Sequence, residues 1–135
     1  MQALALTRNP QLLVAALAIV VALIVNAGRP TYTATHVSVP EAIALVDAGA
    51  LVIDVRAAPH TSLPGAMAIP LEVLAARLAS MEVAKTQPIV VYCGNGSGLG
   101  PKAAHVLTQA GYRHVVNLEP GIEGWRKAHL PVVAA

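Results

Sequence analysis

The sequence predicts an α/β protein, with a central parallel β-sheet flanked by helices and one transmembrane helix in front of it. Three observations carry this expectation. From His36 onward, short β-like runs alternate with segments of helical periodicity. Strands separated by helices pair in parallel, with both faces of the sheet covered. Leu12 to Val25 reads LLVAALAIVVALIV, without a charged or polar side chain. The chain has 135 residues. Once the apolar stretch is set aside, about 100 remain, enough for one domain with one core and too few for two.

Composition narrows the function classes. The chain is 56% hydrophobic and 12% charged, which excludes a disordered protein. Its net charge is +2, and the basic residues are scattered with few aromatics between them. No nucleic-acid partner is expected from that pattern. There is no Phe and one Trp, so the core must be built from Val, Leu, Ile and Ala. One cysteine rules out an internal disulfide. The five histidines show no ligand spacing, so neither a metal nor a cofactor is expected.

The N-terminus divides into a tail at residues 1–10, the transmembrane helix at 11–27 and a polar linker at 28–35. The span approaches the lower limit for a bilayer helix, roughly 17 residues. Pro10 suits the first turn of a helix. Two other readings stay open. A cleaved signal peptide would use Arg8 as its charged region and end near Val25-Asn26-Ala27. A buried core helix would need covering on all sides. The anchor reading makes the bilayer a partner of residues 11–27 and places the protein at the cell membrane, crossing once. Arg8 and Arg29 flank the span almost evenly, so the Lys/Arg bias selects neither side for the domain.

The domain at 36–135 follows element by element. Val39–Val46 has helical spacing, with Ser38 as N-cap and Pro40 early in the helix; Gly49 ends it. Ala50–Val55 is a buried strand. Pro64-Gly65 is a turn, and Ala66–Ile69 a brief strand. Leu71–Met81 is amphipathic, with Glu72, Arg77 and Ser80 on the wet side. Pro88–Tyr92 (PIVVY) is the most β-like run and ends at Cys93. Lys102–Ala110 is a helix that starts near Gly100 and Pro101 and is closed by Gly111. His114–Leu118 is a further strand and Ile122–Ala128 a last short helix, which Trp125 packs onto the sheet.

The lone cysteine sits where open α/β sheets carry their sites, beyond the carboxyl end of a strand. Asp54 and Arg56 sit at another such end. The loop after Cys93 reads Gly94-Asn95-Gly96-Ser97-Gly98-Leu99-Gly100. It is not a dinucleotide loop, because Leu99 and Pro101 stand where the third glycine would be needed. It is not a P-loop either, because Pro101-Lys102-Ala103 replaces Gly-Lys-Ser/Thr. What is left is a strand, a cysteine, a glycine-rich turn and a helix. Backbone N–H groups of such a turn form an anion-binding nest, and the helix start adds the positive end of its dipole. A thiol above them is favoured as the thiolate nucleophile. The same donors would hold an anionic substrate or a persulfide.

Taken together, "VIDVR" (Val52–Arg56), "LPGAMAIPL" (Leu63–Leu71), "PIVVYCGNG" (Pro88–Gly96), "AGYRHVVNLEPGIEGW" (Ala110–Trp125) and "LPV" (Leu130–Val132) resemble a single rhodanese-type domain. Their order and spacing are specific, though each alone is weak. The resemblance implies a parallel sheet, usually of five strands. It implies a persulfide carried on Cys93, a small sulfur-donor anion and a thiol acceptor. It implies anion-holding loop residues Gly94 to Gly100.

The chain departs from the family in two places. Rhodanese loops usually hold six residues and close with Arg then Ser. Here Cys93–Leu99 counts seven, followed by Gly-Pro-Lys. That length resembles the related cell-cycle phosphatases and arsenate reductases. Those enzymes close their loop with an arginine that grips a tetrahedral oxyanion, and Leu99 stands in its place. An alkyl group cannot replace a bidentate guanidinium. Lys102 is the nearest candidate to compensate, although a solvated helix lysine is its plainer reading. The segment between Arg56 and Pro64 is also shortened. Asp54 and Arg56 are possible supporting residues, and a purely structural role suits them as well.

Three functional readings result. The first is a membrane-anchored sulfurtransferase or sulfane-sulfur carrier with Cys93 as nucleophile. The second is a non-catalytic rhodanese-like module that holds a protein partner at the membrane. The third, an oxyanion enzyme of the phosphatase or arsenate-reductase type, has only the loop length in its favour.

Overall fold

The computed structural model describes residues 9–27, 34–95 and 98–135. Residues 1–8 of the expected tail, 28–33 of the expected linker, and Gly96 and Ser97 of the expected loop lie outside the described residues. The chain divides into two compact units, Met1–Thr31 and Tyr32–Ala135.

The first unit holds helix α1, Pro10–Ala27. Leu12, Leu13, Val14, Leu17, Ile19, Val20, Val21 and Leu23 are all exposed, so apolar side chains face outward around the helix. At 1.5 Å per residue its 18 residues extend about 27 Å, just under the roughly 30 Å of a bilayer's hydrocarbon. Among the described residues, no helix is long and apolar enough to cross a membrane. The expected span at 11–27 is thus matched by a helix, and the crossing itself is not shown.

The second unit is built on a five-stranded sheet with the order β1-β6-β5-β2-β4. Its strands are β1 His36–Val37, β2 Leu51–Asp54, β4 Met67–Ala68, β5 Ile89–Tyr92 and β6 Val115–Leu118. Every pairing in it is parallel. Ala34 and Thr35, expected in the linker, already belong to this unit. The Thr35 carbonyl accepts from Asn117 N, and Ala34 packs against the core. A second sheet pairs β3 Thr61–Ser62 with β7 Val133–Ala134, antiparallel. Runs of two residues carry no periodicity, so the sequence gives no warning of this pair.

Alternation along the central strands separates two cores. One face buries Ile53, Val55, Ile89, Val91, Cys93 and Val115 under α3 (Leu74–Ser80) and α4 (Leu99–Gln109). The other buries Val52, Val90, Tyr92 and Leu118 with α2 (Val39–Asp47) and α5 (Gly121–Lys127). Ser38 caps α2 as expected, and its hydroxyl accepts from Glu41 N. The expected helix at Leu71–Met81 is a 3-10 turn, Leu71–Val73, running into α3. The helix expected over Lys102–Ala110, with its start near Gly100 and Pro101, runs from Leu99 to Gln109. Gly98 serves as its N-cap, and Pro101 is tolerated because it falls in the first turn, where N–H groups have no helical partner.

Candidate active site

Cys93 follows directly on β5, at the carboxyl end of the sheet. It is 4% exposed and belongs to the core under α3 and α4. Two backbone bonds hold its carbonyl end. Ile122 N donates to Cys93 O at 3.0 Å, and Glu123 N to Gly94 O at 2.9 Å. The first turn of α5 therefore clamps the start of the loop. Gly121 makes this possible, since its φ is +59°. A Cβ there would stand 2.5 Å from Gly94 O and 2.6 Å from Cys93 O, closer than any side chain permits.

The far side of the thiol is set by α4. Gly100, second residue of that helix, is buried. A Cβ on it would overlap the Asn117 carboxamide outright and lie 3.5 Å from Cys93 Sγ. The helix start thus lies against the sulfur with no side chain between. Gly98, the N-cap of α4, brings no side-chain oxygen of its own to the first-turn donors. Asn117 is fully buried in β6, on the face that carries Cys93. Its Nδ2 lies 3.1 Å from His36 Nδ1, on the edge strand. Sequence reasoning missed Asn117. Its signal was one polar residue inside the otherwise apolar strand VVNL.

The remaining expected loop residues are spread around this point. Gly94 is half-buried, while Asn95 and Gly98 are exposed. Leu99 is the first residue of α4 and is 40% exposed. Lys102 is exposed on the same helix. Asp54 and Arg56 are drawn elsewhere. Asp54 pairs in register with Tyr92, and its side chain shares the face of Tyr92, opposite Cys93. It is fully buried and accepts from Arg56 Nε at 3.0 Å, Arg56 Nη2 at 2.7 Å, Arg56 N at 3.1 Å and the Tyr92 hydroxyl at 3.1 Å. The Ser62 hydroxyl adds a long contact of 3.4 Å. Arg56 also donates to Thr61 O at 2.6 Å, tying the shortened segment to the sheet. The bond to Asp54 holds the Arg56 guanidinium above its already high ordinary value. Burial pushes the Tyr92 phenol up to about 12. In turn the Tyr92 oxygen accepts from Leu63 N at 3.1 Å. This network braces the sheet end and faces away from the thiol. Trp125 is buried against the same face, and its indole donates to Pro131 O at 2.8 Å.

Among the described residues, no group of His, Cys, Asp or Glu is placed to hold a metal ion. Cys93 is thus a strand-end cysteine between the starts of α4 and α5, in a parallel α/β domain. The rhodanese-like domain family matches residues 38–128, and the chain belongs to that family. A sulfurtransferase of Allochromatium vinosum is 31% identical over 87 residues, covering 62% of this chain and 78% of that protein. The Alr3790 protein from Anabaena superposes with a TM-score of 0.66 at 26% identity, over 73% of this chain and 82% of that one. A human single-domain sulfurtransferase gives 0.60 at 26% identity, over 70% and 97%.

Proposed function

We propose that this protein is a membrane-anchored rhodanese-like sulfurtransferase or sulfane-sulfur carrier that forms a persulfide on Cys93. The observation that carries the reading is the approach of the α4 first turn to Cys93 Sγ at Gly100. Family membership and the likeness to named sulfurtransferases support it.

The chemistry balances as two displacements. The Cys93 thiolate attacks the outer sulfur of a donor such as thiosulfate. A new S–S bond forms on Cys93, and the donor's own S–S bond breaks. Sulfite leaves with the bonding electron pair. The terminal sulfur of the persulfide carries the negative charge, against the N–H groups of the loop and helix start. An acceptor thiolate then attacks that outer sulfur and releases the Cys93 thiolate. No general base is needed, which agrees with Asp54 being occupied on the other face. Leu99 leaves a dianion without a guanidinium, so donors of lower charge, such as an alkyl persulfide, suit the loop better.

Residues 11–27 would hold the protein to the bilayer as a single-pass anchor. The support is the outward apolar surface of α1. A helix slightly short of the bilayer is accommodated by local thinning and by its flanks. Membrane flotation, with and without residues 1–27, tests this part.

The decisive test is the intact mass of the full chain after polysulfide or thiosulfate, followed by cyanide. A cyanide-labile gain of one sulfur atom, absent in Cys93→Ser, is expected. No adduct from any donor would refute the carrier reading. A second reading is favoured by the burial of Cys93 and the exposed Leu99 at the loop: a non-catalytic module that holds a protein partner at the membrane.

A further inference from the structure

The geometry points to Asn117 as the positioning residue of the α4 first turn beside Cys93, itself oriented by His36. Three contacts lead from the surface to the sulfur. His36 is exposed on the edge strand β1, which pairs with β6 so that His36 and Asn117 stand opposite each other. Asn117 Nδ2 lies 3.1 Å from His36 Nδ1. The Asn117 carboxamide then closes on Gly100, where a Cβ would overlap its oxygen. Gly100 in turn borders Cys93 Sγ.

A buried carboxamide has two orientations that differ by a half-turn and exchange a donor for an acceptor. A neutral imidazole nitrogen that accepts can face only the NH2 end. His36 Nδ1 as acceptor therefore turns the Asn117 oxygen towards Gly100 and the first turn of α4. The turn is seated at one distance from the sulfur, and its N–H groups meet negative charge that develops there. Losing the His36 contact weakens this orientation and with it the seat of the α4 first turn. Misplacement by about 1 Å is enough to cost on the order of a hundredfold in a positioned reaction. The sequence separation of His36 and Asn117 is 81 residues, so only the folded sheet makes the pair.

This inference rests on the reading of Cys93 as the reacting thiol, and its test does not require sulfur transfer. Rates of Cys93 alkylation by anionic iodoacetate and neutral iodoacetamide are measured on the full chain. The variants are His36→Leu, His36→Asn and Asn117→Ala. His36→Leu and Asn117→Ala should slow iodoacetate by about tenfold and iodoacetamide much less, since the loss is of donors to an anion. His36→Asn should restore most of the rate, because its side-chain oxygen can accept from Asn117 Nδ2. A merely structural role moves the numbers the other way. Loosening the fold exposes a cysteine that is 4% accessible, and both reagents would then react faster. Equal acceleration, or rates unchanged in His36→Leu, would overturn the proposal. If Asn117→Ala does not fold, His36→Leu, altered at an exposed edge position, decides alone. If the anionic reagent slows selectively while the wild-type chain takes up no sulfur, the positioning role stands and the sulfur-transfer reading falls.

Discussion

Gly121→Ala is the sharpest single perturbation of this site, because its cost can be worked from two observations. The residue has a φ of +59°, which costs an L-residue about 1 kcal/mol. The new methyl would also stand 2.5 Å from Gly94 O and 2.6 Å from Cys93 O. Those are backbone atoms, so they yield only if the loop moves. The movement strains the bonds from Ile122 N and Glu123 N, at 3.0 and 2.9 Å. Each is worth about 1 kcal/mol net. The sum is about 2–4 kcal/mol, comparable with overpacking a core. For a domain of this size that lowers Tm by on the order of 10–20 °C. Thermal unfolding of the full chain in mild detergent, followed by circular dichroism, reads it directly. Persulfide loading of Cys93, measured below the transition, should fall as well, since the loop is displaced. A Tm within a few degrees of wild type would show that α5 does not clamp the loop, and the account of the site would fail.

Three further outcomes are expected. Asp54→Ala removes the buried partner of Arg56 and Tyr92 and should cost about 3–5 kcal/mol by urea unfolding. Cys93 alkylation in the folded fraction should stay at the wild-type rate, because the network lies on the opposite face; a large change would contradict that placement. Tyr92 keeps its proton to about pH 12 when folded, against an ordinary value near 10. Between these values the unfolded chain has released the proton and the folded chain has not, so unfolding is favoured as pH rises. Stability should be flat in this respect below pH 10 and should fall by up to about 2–3 kcal/mol towards pH 12. Tyr92→Phe should remove that slope, and a slope that persists would assign it to another group. Leu99→Arg places a guanidinium at the start of α4, where Leu99 is 40% exposed. It should raise kcat/KM for thiosulfate by about tenfold or more while leaving loading from a monoanionic alkyl persulfide little changed. An unchanged thiosulfate rate would mean that missing charge is not what limits this donor.

Much of the architecture was legible because it is written in local signals. Ser38 before Val39-Pro40-Glu41 marks a helix start through its own capping bond. PIVVY marks a central strand because Ile89, Val90 and Val91 are β-branched and uninterrupted by a polar residue, and the structure buries all of Ile89–Tyr92. A cysteine followed by alternating glycines identifies a strand end that turns into a helix. The family resemblance rests on such segments in order, and the match over residues 38–128 agrees with it. The start of α4 was legible only in part, because Pro101 reads equally as a breaker and as a first-turn residue.

What the sequence by itself determined is the helices, the strands β2, β4, β5 and β6, their parallel arrangement and the position of Cys93 beyond the central strand; it did not mark the edge strand β1. These follow from propensity, period and turn chemistry, which act over a few residues. The tertiary structure decided which groups meet. Asp54 and Arg56 could be read as supporting or as structural residues, and register with Tyr92 puts the Asp54 carboxylate on the face opposite Cys93. Asn117 looked like a lone polar residue in a strand, yet register sets it between His36 and Gly100. Thr61–Ser62 and Val133–Ala134 carry no local signal and pair only because the fold brings them together. Contacts between residues far apart in the chain depend on face and register, and those are settled only when the whole sheet is assembled.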